Sequence, residues 1–234
     1  LIFQLISKIA DNHHQLSDFF NKLEKIFQFF IKDSPSPISY FISDYTNLNR
    51  RFLFFLLEKK FIIPDQSFLN YYLKSKSINI QLYYYLYPTM KNYIDESIRK
   101  QIEDEIQQQF EDDISIYEEK CKIGQNDSYI CSLIREDLVE EFISYVNRTN
   151  FHLSTKIKPS IYETNSILID KELTLIEYAS FFGSIQIIRY LKYNNVQLTS
   201  SLWLYSIHSN SAELIHFLEE NKINPKRNEN KQVK

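Results

Sequence analysis

Glycine is scarce in this sequence, with two residues among 234. A phosphate-binding loop needs several closely spaced glycines, so that backbone N–H groups can approach the phosphates. Gly124 and Gly183 lie far apart, and neither fits such a pattern. The sequence therefore excludes the nucleotide loop of NTPases and the dinucleotide fingerprint of Rossmann dehydrogenases.

Proline is also infrequent, at six residues, so the usual turn residues of a β-sandwich or barrel are missing. Helices need neither glycine nor proline. Apolar side chains make up 44% of the sequence and include 17 Tyr and 18 Phe, which is enough for a sizeable core. These features together predict an all-α protein.

Cysteine occurs only as Cys121 and Cys131. Two cysteines are too few for the disulfide framework of a small secreted scaffold, and their spacing matches no four-ligand zinc pattern. We therefore expect reduced thiols and an intracellular, cytoplasmic protein.

Excess positive charge and long apolar runs are absent as well. The formal net charge is −3 and the sequence pI is about 6.0, which does not favour nucleic acid as a partner. The longest apolar runs, such as residues 52–57, are far shorter than the roughly 20 residues that cross a bilayer, so no membrane insertion is expected. Residues 1–8 have no basic leader typical of a signal peptide, and the first residue, Leu1, suggests a fragment of a longer protein.

What the sequence does contain is an internal repeat. Residues 174–191 align with residues 201–218 at an offset of 27 positions. Identical residues recur at five pairs of positions: Leu175 and Leu202, Tyr178 and Tyr205, Ser184 and Ser211, Ile188 and Ile215, and Leu191 and Leu218.

Each repeat has the signals of two helices joined by a tight turn. Thr174 and Glu177 form a capping-box pattern that begins the first helix. Gly183 and Asn210 stand at equivalent positions and are the residue types that best adopt a left-handed conformation at a helix end. Ser184 and Ser211 then predict caps for the second helix, which carries an apolar stripe in both repeats.

Weaker echoes of this pattern occur upstream. Residues 141–146 match residues 186–191 at an offset of 45, and residues 54–64 resemble residues 215–225. Residues 65–73 and 80–87 predict a further helical pair hinged at residues 75–77. Paired helices are therefore expected along most of the chain.

The run from Ala179 to Leu191, with Gly183-Ser184 before an Ile-rich helix, resembles the ankyrin repeat pattern. Together with residues 160–165 and 202–208, it is similar to an uncharacterised ankyrin-type domain expanded in parasitic protists, over about residues 130–225. The resemblance implies paired helices and a protein partner, with no catalytic activity or ligand.

Two departures from the ankyrin pattern affect what the resemblance implies. The usual Thr-Pro-Leu-His start is replaced by Thr174-Leu-Ile-Glu177, and the period is 27 residues rather than about 33. The hairpin between units is therefore expected to be short. The stretch 147–172 is long, and we expect a loop that folds over the helical pairs or contacts a partner.

Few residues suggest chemistry. His208 and His216 lack a third metal ligand, and we expect His208 to pack between helices. Cys131 with His152 is the only pair that hints at nucleophilic catalysis, but no oxyanion motif surrounds either residue. His13 and His14 are expected in a solvated turn.

Several biased segments have structural explanations that compete with binding. The acidic residues in 103–105, 111–113 and 118–119 lack the glycine of a calcium loop, so a solvated helix face is expected. The basic residues of the tail, from Lys222 to Lys234, indicate a disordered or linker end. For Tyr83, Tyr84, Tyr85 and Tyr87, compositional bias is favoured over a recognition patch. Trp203 is expected to pack against the preceding unit, and the alternative is that it lines a groove.

The sequence thus predicts an all-α solenoid of helical pairs. Residues 1–130 are expected to be irregular, residues 131–225 ankyrin-like, and residues 226–234 a polar tail or truncated linker. The expected function is non-catalytic protein–protein interaction, as an adaptor or scaffold, with no cofactor, metal or small-molecule substrate and no identifiable binding residue. One alternative is a structural segment of a longer repeat protein whose binding surface lies elsewhere. An enzyme would require a pocket with convergent polar residues.

Overall fold

The structure is a computed structural model that describes residues 2–12, 19–32, 48–110 and 113–225. These residues form thirteen α-helices, and the β-structure among them is a single bridge between Lys156 and Thr174. The prediction of an all-α protein is confirmed. None of the helices within the described ranges combines the length and apolar composition needed to span a membrane.

The chain divides into two compact units. The first comprises residues 1–126 and 160–169, and the second comprises residues 127–159 and 170–234. Helices of the first unit are α1 (Ile2–Asn12), α2 (Phe19–Lys32), α3 (Arg50–Glu58), α4 (Gln66–Ile78), α5 (Ile80–Met90), α6 (Glu96–Phe110) and α7 (Ile114–Ile123). Helices of the second are α8 (Tyr129–Arg135), α9 (Val139–Thr149), α10 (Leu175–Phe182), α11 (Ile185–Tyr193), α12 (Leu202–Ser209) and α13 (Ala212–Glu220).

Helices α4 and α5 form the predicted pair, but the hinge between them lies at Asn79 rather than at residues 75–77. The hydroxyls of Ser75 and Ser77 donate to the carbonyls of Tyr72 and Lys74, at 2.5 and 2.9 Å, so the helix continues through both serines. Asn79 then accepts a hydrogen bond from the Leu82 amide at 3.0 Å and begins α5. The predicted hinge was wrong because the serines bond within the helix.

The first unit has an aromatic core. The side chains of Tyr83, Tyr84, Tyr85 and Tyr87 are all buried in it, together with Phe52. Burial raises the pKa of Tyr83 to about 12, because the ionised phenolate loses its hydration. The four tyrosines therefore serve packing, which composition alone does not reveal.

Three of the acidic residues pair inside the first unit instead of facing solvent alone. Glu103 accepts from the Tyr87 hydroxyl at 2.5 Å, and Glu118 pairs with Lys91 at 2.5 Å. Glu105 pairs with Lys76 at 2.7 Å. The prediction of a solvated helix face did not include these pairings, because the partners come from neighbouring helices that sequence spacing does not show. All three residues are half-buried.

Glu105→Gln is expected to make the stability of the first unit less dependent on pH. Burial opposes ionisation of Glu105, but hydrogen bonds from Lys76, Gln101 and Tyr84 prevail and lower its pKa. A lowered folded-state pKa contributes stability above the unfolded value, and this contribution is lost as pH falls through the folded value. We expect the substitution to lower the free energy of unfolding by about 1 kcal/mol at pH 7 and by almost nothing near pH 3. Urea titrations followed by far-UV circular dichroism measure this.

Glu119→Gln is the matched control, because Glu119 lies on α7 of the same unit with its side chain exposed. Its substitution should leave the pH profile unchanged. If the two variants show the same pH dependence, the contacts of Glu105 have no net effect on stability.

Residues 160–169, within the long stretch 147–172, belong to the first unit. Tyr162 is buried there, and the Thr164 hydroxyl donates to the carbonyl of Gly124 at 2.7 Å. The sequence predicted a loop that covers the helical pairs or contacts a partner. This part of it is instead an integral piece of the first unit.

Candidate functional site

Three helical pairs make up the second unit: α8 with α9, α10 with α11, and α12 with α13. Helix α10 contacts α8 on one side and α12 on the other, and α11 contacts α9. Each pair turns through one left-handed residue, Asp137 (φ 51°), Gly183 (φ 74°) or Asn210 (φ 51°). The predicted left-handed conformation of Gly183 and Asn210 is confirmed.

The predicted helix starts are confirmed in two cases and wrong in one. Thr174 and Glu177 form both bonds of the capping box, and the Ser211 hydroxyl accepts from the Leu214 amide at 3.2 Å. Ser184, in contrast, makes no side-chain cap and donates its hydroxyl to the carbonyl of Ile134. Ser184 thus joins two helical pairs instead of closing its own helix.

We call the contact between α10–α11 and α12–α13 the second junction. In it, the Phe181 and His208 rings stack with centroids 5.7 Å apart, which confirms that His208 packs between helices. The Ser201 hydroxyl donates to Glu177 at 2.8 Å. Glu177, Ser180 and Phe181 lie on one stripe of α10, because residues three and four apart share a helix face. Ser180 lies on this stripe and is 0% exposed.

Gly183 allows the second junction to be close. A Cβ atom added at this residue would lie 3.2 Å from Ser209 Cβ and 3.4 Å from Ser211 Cβ. Glycine also adopts the left-handed conformation without steric cost. The residue is therefore constrained by both its backbone and its neighbours.

We call the contact between α8–α9 and α10–α11 the first junction. The left-handed turn residue beside it is Asp137, whereas Gly183 stands beside the second junction. The Asp137 carboxylate accepts hydrogen bonds from the amides of Gln186 and Ile187, both at 3.0 Å. These amides belong to the first turn of α11, where backbone donors have no partner within the helix. Asp137 thus caps α11, the second helix of the next pair, which Ser184 does not cap.

Burial raises the pKa of Asp137, although the amides of Ile187 and Gln186 partly oppose the rise. The carboxylate accepts from backbone donors and lies near the positive end of the α11 dipole. Its role at the junction is therefore that of a hydrogen-bond acceptor.

In the part of the third pair that the structure describes, two side chains of the equivalent stripe are exposed. Ser180 and Ile207 occupy the same repeat position, but Ser180 is 0% exposed and Ile207 is 67% exposed. Leu204, at the position of Glu177, is 52% exposed. We call this stripe of α12, formed by Trp203, Leu204 and Ile207, the open face. Its Leu204 and Ile207 stand at the repeat positions where the preceding pair has Glu177 and Ser180.

Trp203 adds an aromatic edge to the open face. Its indole N–H donates to the carbonyl of Ile223 at 2.8 Å, which fixes the ring while leaving it half-buried. Fixed aromatic residues beside aliphatic ones are typical of the centre of protein interfaces. The arrangement can bind an apolar protein surface, and the sequence prediction of packing for Trp203 describes only part of its environment.

Sequence reasoning missed Leu204 and Ile207 as site residues. The available signal was the replacement of Glu177 and Ser180 by leucine and isoleucine in the next repeat. An apolar residue on an amphipathic helix normally indicates the core. The two apolar replacements therefore indicate a binding surface only when it is known which face of the helix is buried.

Two clefts lie elsewhere. In the second unit, a cleft of about 340 Å³ is lined by both charge signs, from Tyr129, Glu140, Glu141, Ser144, Tyr145 and Arg148. In the first unit, a more apolar cleft of about 310 Å³ lies beside α4. Neither cleft contains Cys131 or His152, the pair considered for nucleophilic catalysis.

The remaining candidates differ in their exposure to solvent. Cys131 is fully buried in α8, whereas His152 is exposed and contacts the Ser154 hydroxyl at 2.6 Å. Cys121 is also buried, and burial raises the pKa of its thiol. His216 lies on the exposed side of α13 and contacts Glu219 at 3.4 Å.

Metal-binding chemistry was considered for the histidines and the acidic residues. Across the ranges that the structure describes, no group of three or more His, Cys, Asp or Glu side chains could hold a metal ion. His13, His14, Glu111, Asp112 and the tail residues from Lys226 onward lie outside the described residues.

Comparison with known proteins found no matching family model, no matching curated protein and no matching solved structure. The ankyrin resemblance therefore remains a prediction that rests on the residues quoted for it.

Proposed function

We propose that this chain is a non-catalytic protein-interaction module of the ankyrin type, an adaptor or scaffold that binds a protein partner through the open face. The observation that supports it is the contrast between Ser180, fully buried, and Ile207, 67% exposed at the same repeat position. An exposed apolar stripe is unfavourable in water unless another surface covers it.

The arrangement of the helical pairs supports the ankyrin-type proposal. Consecutive first helices contact in chain order, and each pair turns through a left-handed residue. In a repeat stack, each unit buries its apolar face against its neighbours, and terminal units need a polar outer face to remain soluble. The third pair has an apolar outer face, so it does not have the composition of a terminal cap.

Replacing Leu204 and Ile207 together by lysine is expected to weaken partner binding without unfolding the second unit, because both side chains are exposed. Partners are first identified by affinity purification and mass spectrometry from the protein's own cells, and the strongest is then titrated in purified form. We expect the dissociation constant to rise by about 30-fold or more, as for loss of an interface hot spot.

The matched control is Ile116→Lys with Ile123→Lys on α7, where the two isoleucines are 51% and 54% exposed. This variant carries the same added charge on another apolar patch. If both double variants retain every partner with unchanged affinity, the open face is not a binding surface and the proposal is wrong.

A second candidate is a structural role as part of a longer repeat protein whose binding surface lies elsewhere. The connections after α11 and α13 favour it, since Asn195 and Lys222 have φ of 64° and 56° and stand 27 residues apart, in register with the repeat. Self-association of the purified chain would favour this candidate. A soluble monomer would count against it.

A further inference from the structure

The open face closely matches a face that the same unit already covers. Ile134 and the left-handed Asp137 lie three residues apart at the end of α8, and Ile207 and the left-handed Asn210 lie three residues apart at the end of α12. At the first junction, the carbonyl of Ile134 accepts from Ser184, and Ile134 is fully buried. The first junction therefore shows what kind of element covers such a face.

The turn residues after α8 and α12 also match. Asp137 and Asn210 have the same φ of 51°, so both adopt the left-handed conformation at the end of the first helix of their pair. Asp137 uses its carboxylate to cap α11 of the following pair. Asparagine has an amide oxygen that accepts the same bond, although without the charge.

Asn210 is not needed as a cap within its own pair. The first turn of α13 is capped by Ser211, whose hydroxyl accepts from the Leu214 amide. Glycine would serve the left-handed turn equally well, as Gly183 does in the preceding pair. The amide side chain of Asn210 is thus an exposed hydrogen-bonding group beside the open face.

We propose that the partner presents a helix–turn–helix pair to the open face, and that Asn210 accepts from backbone amides in the first turn of its second helix. This inference rests on the proposed function and specifies the chemistry of its protein partner. The incoming pair resembles α10–α11, in which the residue before the second helix does not cap that helix. Ile207 then becomes buried as Ile134 is, and an extended peptide would leave Asn210 without a helix to cap.

The test uses the full chain and a tethered stand-in for the partner. A second copy of residues 172–198, which contain α10 and α11, is inserted directly after Pro225 in repeat register, and residues 226–234 follow it unchanged. In this copy, the amides equivalent to those of Gln186 and Ile187 need an outside acceptor. Hydrogen exchange measures whether the copy folds onto the open face.

We expect the amides of the inserted copy to exchange at least about tenfold more slowly than in an unfolded chain. Asn210→Asp should increase their protection, and Asn210→Gly should decrease it, with about a tenfold difference between these two variants. Neither substitution should alter exchange in the chain without the insert. This dependence on the insert separates docking from a local effect on the turn.

A second insert controls for misfolding of the inserted copy. A copy of residues 199–225 carries Ser211, which caps its own helix, so its protection should not depend on the side chain at position 210. Equal sensitivity of both inserts to Asn210 would overturn the proposed hydrogen bond. Unprotected amides in both inserts, unaffected by Ile207→Lys, would overturn docking of a helical pair.

Sedimentation of the chain without an insert tests whether a second copy of the chain covers the open face. Self-association that Ile207→Lys abolishes would show that a second copy covers the open face, and would overturn the proposal of a partner pair. The outcome is also separate from that of the proposed function. If partners are lost with Leu204 and Ile207 but the inserts fail to dock, the module binds proteins by another mode.

Discussion

Gly183→Val is expected to destabilise the second unit by about 2 to 4 kcal/mol, a large share of the stability of a small domain. Two effects add. Gly183 has φ of 74°, where a β-branched residue is strained. A Cβ atom there would also lie 3.2 Å from Ser209 Cβ, so helices α10 and α12 would have to separate.

Trp203 provides the measurement for this variant, because it is the single tryptophan of the chain and lies in the second unit. Urea unfolding followed by its fluorescence reports this unit selectively. Asn210→Gly is the control, since Asn210 has a similar φ but is exposed, and it should change stability by less than about 0.5 kcal/mol. Equal effects of the two substitutions would show that the second junction is not tightly packed.

Ser180→Ile is expected to cost about 2 kcal/mol, although it places at position 180 the residue that the next repeat carries at position 207. Ser180 is fully buried on the stripe that contacts the third pair, and its hydroxyl donates to the carbonyl of Ile176 at 2.7 Å. Isoleucine adds volume at a fully buried position, so its neighbours must shift to accommodate it.

The reciprocal substitution, Ile207→Ser, should change the stability of the isolated chain by less than about 0.5 kcal/mol, because the side chain is mostly exposed. Both variants are compared by Trp203 fluorescence in urea. A large cost for Ile207→Ser would mean that this residue packs within the second unit. The open face would then not be a site for another protein.

Local chemistry accounts for the features of the second unit that the sequence predicted correctly. The capping box of Thr174 and Glu177 involves residues three positions apart, so its geometry follows from the helix itself. The left-handed turns at Gly183 and Asn210 follow from which residues tolerate positive φ. These interactions are complete within a few residues and need no tertiary context.

Predictions failed where a side chain had a choice of partners. Ser184 has the residue type and position of a helix cap, but its hydroxyl donates to Ile134, 50 residues away. Glu105 has the appearance of a solvated helix residue, but it pairs with Lys76 on another helix. Both choices depend on which groups the fold brings within hydrogen-bonding distance.

The sequence by itself thus determined an all-α chain, the helix–turn–helix repeat of 27 residues and the conformation of its turns, because these depend on residue type and short-range spacing. The tertiary structure alone decided which stripe of each helix is covered. Ser180 and Ile207 have equivalent positions in the repeat, yet one is buried and the other is exposed. Burial depends on neighbours distant in the chain, so it was not present in the local pattern that predicted the helices.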